Sequence, residues 1–429
     1  MIKLLIIADD FTGALDTGVQ FSKKGIPTLV TVKTDIDLNR MDADLEVLVV
    51  DIESRHMDKN QAAQRVKEIT RWVRTFGVEY IYKKTDSTLR GNVGAELTAL
   101  MHECHNCELM FIPAFPKTNR TTIKGYQYVN GLLLQESVFA KDPFEPVKNS
   151  YIPDIIKMQS DVNVSVIDYK KINHSNDFSS VFQMHSDEST IYVFDAEKDE
   201  DLKNIGQFLK DQNKLKVTAG CAGFAEFLPE LLGLTPKPVK IKKNKANTLV
   251  VSGSINEIAI SQINYAEQQG YKSFTLTPAQ KLEKHYLETL EGEEFIEEVI
   301  KKINNEELLI LKTVDSRDDI QKCIGYAQKI SMNQEKMHLK IAENVGRIVK
   351  NILNETMIGT VVVFGGDTVL GIMKAIEAQG LMPKREIVPG VVVSTVMSDA
   401  YKIDMITKAG GFGDEDVLIK IKDYLKEGE

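Results

Sequence analysis

The chain lacks the features of several protein classes. Four cysteines in 429 residues are too few to staple a small secreted fold. No apolar run approaches the roughly 18 residues a membrane span needs. The first, Leu4 to Ala8, is cut off by Asp9, which also rules out a signal-peptide core. Positive charge is in deficit: 53 Lys and Arg against 62 Asp and Glu leave a net charge of -9. That balance argues against nucleic acid or an anionic membrane as partner, although a local site can still be positive. Neither GxxxxGK[ST] nor GxGxxG is present, so the P-loop and the dinucleotide fingerprint are both absent. No internal repeat and no low-complexity tract interrupts the chain. A cytoplasmic location is the default expectation.

Two of the cysteines, Cys104 and Cys107, form a CxxC, with His102 just before it and His105 between the two thiols. Four such side chains could hold zinc. The stretch nevertheless reads as a helix end running into the apolar strand LMFIPAF, and two thiols near a helix end is the favoured reading. No metal ligand is assigned.

What is present is a repeating rhythm. Short apolar strands (LLIIA, IPTLVTV, LEVLVVD, YIYKKT, LMFIPAF) alternate with amphipathic helices. One helix spans residues 13–24 and stops at Gly25. Another, NQAAQRVKEITRWVRTF, carries Ala62, Val66, Ile69 and Val73 on one face. Such alternation predicts parallel pairing. Residues 117–150 lose this periodicity and read as a lid or binding loop. The Lys- and Pro-rich LTPKPVKIKKNKAN, residues 234–247, reads as a linker. The expected fold is two α/β domains with mainly parallel sheets, residues 1–235 and 248–429, joined by 236–247. The ligand site is expected in the cleft between them.

Open α/β sheets bind ligands beyond the carboxyl ends of their strands. The chain opens MIKLLIIADDFTGALDTG, placing Asp9 and Asp10 at such an end. Adjacent strand residues point to opposite sides, so one carboxylate is expected to face substrate and the other to cap the following helix or bond its turn. IYKKTDSTLRGNVG gathers Lys83, Lys84, Asp86, Ser87, Thr88 and Arg90 after another strand, and DIESRHM adds Arg55. Cations suit a carboxylate, and Asp, Ser and Thr suit hydroxyls. A solvated charged turn and a surface arginine are the bland alternatives, weakened because these segments share one sheet edge. In the second half VVVSGSINE, VVVFGGDTV and ITKAGGFGDED each leave a strand through small residues. One such junction is usually only a tight turn, but three suggest a phosphate or nucleotide site. A sugar-acid site joined to a phosphate-gripping domain describes a kinase, whose closure would exclude water.

At this point the sequence resembles the four-carbon acid sugar kinases, a family long known only as a domain of unknown function. ADDFTGALDTG, KKTDSTLRGNVG, PAFPKTNRTTIKGYQYVNG, FAKDPFEPV, TAGCAGFAE, VVSGSINE, VFGGDTV and AGGFGDED run in family order over essentially the whole chain. The resemblance implies ATP- and Mg2+-dependent phosphorylation of the 4-hydroxyl of D-threonate, D-erythronate or a 3-oxo-tetronate, by an acid-sugar-binding N-terminal domain and a nucleotide-binding C-terminal one. It implies substrate contacts from Asp10, Arg55, Lys84, Thr85, Asp86, Ser87 and Thr88. Arg90 would face substrate or the transferring phosphate. Ser254, Gly365, Gly366, Asp367, Thr368 and Gly411 would bind ATP. Asn119 stands before Arg120 where a glycine is usual, and VPGVVVSTV lacks a common Pro and Gly. Asp10 or Asp86 would be the base, and Arg90 or Lys84 would neutralise the transferring phosphate. The rival readings are a sugar-acid sensor without turnover and an aspartyl phosphatase, whose Asp-x-Asp pattern is not met by adjacent aspartates. A dehydrogenase is disfavoured by the absent fingerprint. The oligomeric state stays open, a homodimer included.

Overall fold

In the computed structural model the described residues are 2–34, 36, 44–141, 146–174, 189–237, 246–408 and 411–426. The chain divides into two compact units, Met1–Pro238 and Val239–Glu429. Most of the expected linker, residues 238–245, lies outside the described residues, as does the DPFE stretch at 142–145.

The first unit is built on parallel strands. Its early strands are β1 (Leu4–Ala8), β2 (Thr28–Thr31), β3 (Val47–Asp51), β4 (Tyr80–Lys84) and β5 (Glu108–Ile112). Three short strands follow, β6 (Arg120–Ile123), β7 (Tyr126–Val129) and β8 (Leu132–Leu133), then β9 (Asn163–Ile167), β10 (Thr190–Phe194) and β11 (Val217–Gly220). The main sheet runs β2-β3-β1-β4-β11-β5-β10-β9, every pair parallel. Leu4 to Ala8 are at most 1% exposed, as expected of a parallel strand covered on both faces. Helices α1 (Phe11–Ser22), α2 (Lys59–Arg74) and α3 (Val93–Glu103) supply part of that cover. Ala62, Val66, Ile69 and Val73 of α2 are buried on its inner face. β1 lies between β3 and β4, so the chain's direction of travel across the sheet reverses there. That reversal is where doubly wound sheets open a crevice.

The segment expected to be irregular contains a small antiparallel sheet, β6-β7-β8. Its turns are Lys124-Gly125 (φ 51 and 76) and Asn130-Gly131 (φ 52 and 79). Two consecutive positive φ values match the right-handed twist of a hairpin.

In the second unit β12 (Asn247–Ser252), β13 (Lys272–Thr275), β14 (Leu308–Lys312), β15 (Ile358–Phe364), β16 (Gly380–Val388), β17 (Val391–Met397) and β18 (Asp404–Lys408) follow in chain order. Spatially they run β13-β14-β12-β15-β18-β17-β16. The four pairs among the first five strands are parallel, and the β18–β17 and β17–β16 pairs are antiparallel. Helices Glu257–Gln268 and Val417–Lys426 border a core that includes Val250, Ile263, Phe364, Ile406 and Ile421. VPGVVVSTV forms the β16–β17 turn, with Gly390 at φ 78, and Val391 onward is regular strand. No helix among the described residues is long and apolar enough to cross a membrane.

Candidate active site

The carboxyl ends of β3, β1 and β4 bring three acids to one arginine. Asp9 is 3% exposed and accepts Arg55 Nε on Oδ2 at 2.9 Å. Arg55 also meets Asp10 Oδ1 at 2.7 Å and stands 3.9 Å from Asp86 Oδ1. Asp10 takes the extended conformation of a helix N-cap (φ -148, ψ 158), its Oδ1 accepting the Gly13 N–H at 3.0 Å. The expected division of labour is therefore altered. Asp10 both caps the helix and keeps a quarter of its side chain exposed, while Asp9 is committed to Arg55.

The acids differ in affinity for a proton. Burial pushes Asp10 up, with Asp9 and Asp86 adding to it, and Arg55 does not fully offset this. Burial also opposes ionisation of Asp9, but Arg55, Lys83 and Lys84 hold it below the usual carboxylate value. For Asp86, burial is overcome by Arg55, by Arg90 and by hydrogen bonds from Arg90 and Thr88, which hold it far below that range. Arg90 Nε donates to Asp86 Oδ2 at 2.6 Å and Thr88 Oγ1 at 2.5 Å.

Two neighbouring lysines do different work. Lys83 is fully buried and pairs with Glu96 Oε2 of α3 at 2.9 Å. Ser54 Oγ donates to the other Glu96 oxygen. Lys84 is 5% exposed, and its ammonium makes no ion pair among the described residues. It lies against the start of α1, where a Cβ on Gly13 would fall 2.7 Å from Lys84 Nζ and 2.5 Å from Asp10 Oδ1. Thr85 Oγ1 is buried without a partner among the described residues. Ser87 offers its carbonyl to Gln127 Nε2 at 3.0 Å, tying the 84–90 loop to β7.

Sequence reasoning passed over Glu96 and Phe139. The Arg90 guanidinium carbon lies 5.3 Å from the Phe139 ring centroid and that of Arg120 lies 6.0 Å away. Glu96 sits inside a helix with no local motif to mark it. Asn119 has φ 57, a left-handed conformation that asparagine tolerates better than most residues. This explains why it can replace glycine there.

In the second unit Ser252 and Phe364 are register partners, so the turns after β12 and β15 are neighbours. A Cβ on Gly253 would fall 1.9 Å from Thr368 Oγ1. Gly365 has φ 107 and precedes the helix Gly366–Ala375. Ser254, Gly365, Gly366, Asp367 and Thr368 thus lie on two adjoining turns, with Asp367 exposed in the first helical turn. Gly411 is exposed, and its neighbours 409–410 lie outside the described residues. The third glycine stretch is a loop rather than a direct helix entry. Gln262 Nε2 bonds the carbonyls of Phe412, Gly413 and Asp414 at 2.8–3.1 Å, and the helix begins only at Val417.

Two family models match the chain. Residues 4–228 match the family model of a sugar-binding N-terminal domain, and residues 249–418 that of a nucleotide-binding C-terminal domain. The D-threonate kinase of Salmonella typhimurium is 31% identical over 428 residues, covering 99% of both chains. The chain belongs to the four-carbon acid sugar kinase family. The D-erythronate kinase of Heliobacterium modesticaldum is 27% identical, over 99% of this chain and 97% of its own. The 3-oxo-tetronate kinase of Pseudomonas fluorescens is 24% identical over the same shares. A Haemophilus influenzae protein of known structure matches this family member with a TM-score of 0.77 at 21% identity, covering 98% of this chain and 100% of its own. That likeness bears on the fold, which is α/β with mainly parallel sheets.

Proposed function

We propose that this chain transfers the γ-phosphoryl group of ATP to the 4-hydroxyl of a four-carbon sugar acid, with D-threonate, D-erythronate and a 3-oxo-tetronate as candidate substrates. The observation that carries the reading is the contrast between Asp10 and Asp86 beside Lys84, which has no ion-pair partner among the described residues. Asp86 is committed to Arg90 and Thr88 and resists protonation. Asp10 holds its proton more readily, and its Oδ2 makes no hydrogen bond to a described residue. Pairs of titratable groups pushed apart in this way mark acid–base roles. Asp10 is therefore assigned as the base that orients the 4-hydroxyl and takes its proton. Asp86, Ser87, Thr88 and Thr85 are assigned to the substrate's hydroxyl groups. Arg55 serves by holding Asp10 in place, and Lys84 lies where charge at the transferring group would be neutralised.

The turns after β12 and β15 suit a nucleotide phosphate. Gly253 and Gly365 let the backbone approach where a side chain would collide or strain, and the N–H groups of Gly366, Asp367 and Thr368 open a ten-residue helix. Ser254 and Gly411 are assigned to the same ligand. ATP supplies the phosphoryl group and Mg2+ the neutralising charge; this chain's residues position the acceptor and move its proton.

The test is ADP release with Mg-ATP across D- and L-threonate, D- and L-erythronate and the 3-oxo-tetronates. Turnover on one member is expected. Silence across the panel, with ATP still bound, would sink the proposal.

A further inference from the structure

We propose that Arg120 grips the carboxylate of the acid substrate and selects acids over neutral four-carbon polyols. This rests on the kinase reading above and extends it.

The cations of the site are mostly spent. Arg55 is held by Asp9 and Asp10, Arg90 by Asp86, and Lys83 by Glu96. Lys84 and Arg120 remain without a carboxylate partner among the described residues. Lys84 sits against Gly13 and Asp10, so it belongs to the hydroxyl end. Arg120 stands elsewhere on the same edge. Its Nη1 donates to the Thr118 carbonyl, while its Nε is buried with no partner among the described residues. A buried donor without an acceptor costs free energy, and a ligand that supplies the acceptor recovers it. Burial lowers the proton affinity of Arg120, Asp86 opposes that, and Arg90 adds to it. An anion arriving there would therefore be met by a partly desolvated guanidinium that has no carboxylate partner among the described residues.

The position is fixed by backbone. Phe115 N–H donates to Arg120 O at 2.8 Å, and Arg120 N–H to Phe115 O at 3.1 Å. Thr122 and Ala196 exchange two further bonds at 3.0 Å. Arg120 therefore rides on the carboxyl end of β5. Three interstrand steps separate β5 from β1, roughly 14 Å at about 4.8 Å each. On that spacing, an acid held at Asp10 would extend its far end toward the side of the edge where Arg120 is placed and where Arg120 feels the charge of Asp86. Its 4-hydroxyl would lie at Asp10 and its carboxylate at Arg120. The planar guanidinium, with Nε and an Nη on one edge, matches a carboxylate bidentately, which an ammonium does not.

The experiment measures binding of D-threonate and D-erythronate, and of neutral threitol and erythritol, to wild type, Arg120→Gln and Arg120→Lys. Calorimetry without nucleotide is paired with steady-state kinetics. Arg120→Gln is expected to weaken acid binding about 10- to 100-fold, the range of a lost charge-assisted hydrogen bond. Polyol affinity and the KM for Mg-ATP should stay within about twofold, and Arg120→Lys should recover part of the acid affinity. Equal losses for acid and polyol overturn the proposal, because they mean general damage to the site. So does a fall in kcat with unchanged acid affinity, which would place Arg120 at the transferring phosphate. If Arg120→Gln does not fold, Arg120→Lys carries the same acid-against-polyol comparison. A wild type that phosphorylates an acid, with Arg120→Gln indifferent, removes this proposal alone. A wild type that neither binds nor phosphorylates any acid removes the functional reading with it.

Discussion

At the scale of single residues, the site rests on carboxylates of one kind made unlike by their neighbours. Asp10→Asn keeps a good N-cap and removes the proposed base. Turnover is expected to fall about 10²- to 10⁴-fold, with thermal stability and ATP binding unchanged; a variant with near-wild-type turnover would refute the assignment. Lys83 and Glu96 form a pair that is almost fully buried. Lys83→Met leaves Glu96 buried without its cation, a change that costs about 3–5 kcal/mol. Urea unfolding should show that loss, and Lys83→Met with Glu96→Leu should return most of it. The pairing was not legible in the sequence. Lys83 stood out among charged neighbours, but Glu96 is separated from it by thirteen positions and meets it only through the tertiary packing of α3 against the sheet.

At the scale of elements, regular segments were legible and short ones were not. The spacing of Ala62, Val66, Ile69 and Val73 defined α2 and its buried face. The β6–β7–β8 sheet escaped because its strands have two to four residues, too few to establish a period. Its signal lay in the turns, where Lys124-Gly125 and Asn130-Gly131 recur six residues apart. The first turn is held from outside. Asp195 accepts the N–H groups of both Lys124 and Gly125 at 2.8 Å. Burial, with Asp168 and Glu197 adding to it, pushes the Asp195 carboxyl up to about 6 despite those bonds. The unfolded chain releases this proton near the ordinary aspartate value, and the folded chain only near 6. Between them the native state binds more protons, so this group's contribution falls as pH rises from about 4 to about 6. Asp86, held low, contributes with the opposite sign at lower pH. Denaturation midpoints across that window should therefore decline more steeply for wild type than for Asp195→Asn; parallel profiles would contradict the assignment.

At the scale of the whole molecule, the α/β rhythm and the mainly parallel sheets were readable because each strand is an uninterrupted apolar run ending in a polar loop. The antiparallel β16–β17–β18 corner was less so, since VPGVVVSTV differs from a parallel strand only in the turn at Gly390. The reading assigns acid and nucleotide to different units, which gives a separable expectation. Gly253→Val would push a side chain into Thr368. Mg-ATP should then no longer raise the melting temperature, while the acid substrate still does. For the wild type, ligand at a hundred times Kd adds about 2.7 kcal/mol. Differential scanning fluorimetry with each ligand measures both shifts, and loss of the acid's shift in Gly253→Val would argue against separate sites.

Asp10 Oδ1 receives the Gly13 N–H at 3.0 Å, so the carboxylate assigned as base is also the acceptor of one backbone amide. That amide is a built-in spectroscopic probe. Protonating Asp10 weakens the bond, and the Gly13 proton resonance should move upfield with the same midpoint as the acid limb of the pH–rate profile. Turnover and a single nuclear resonance would then titrate together.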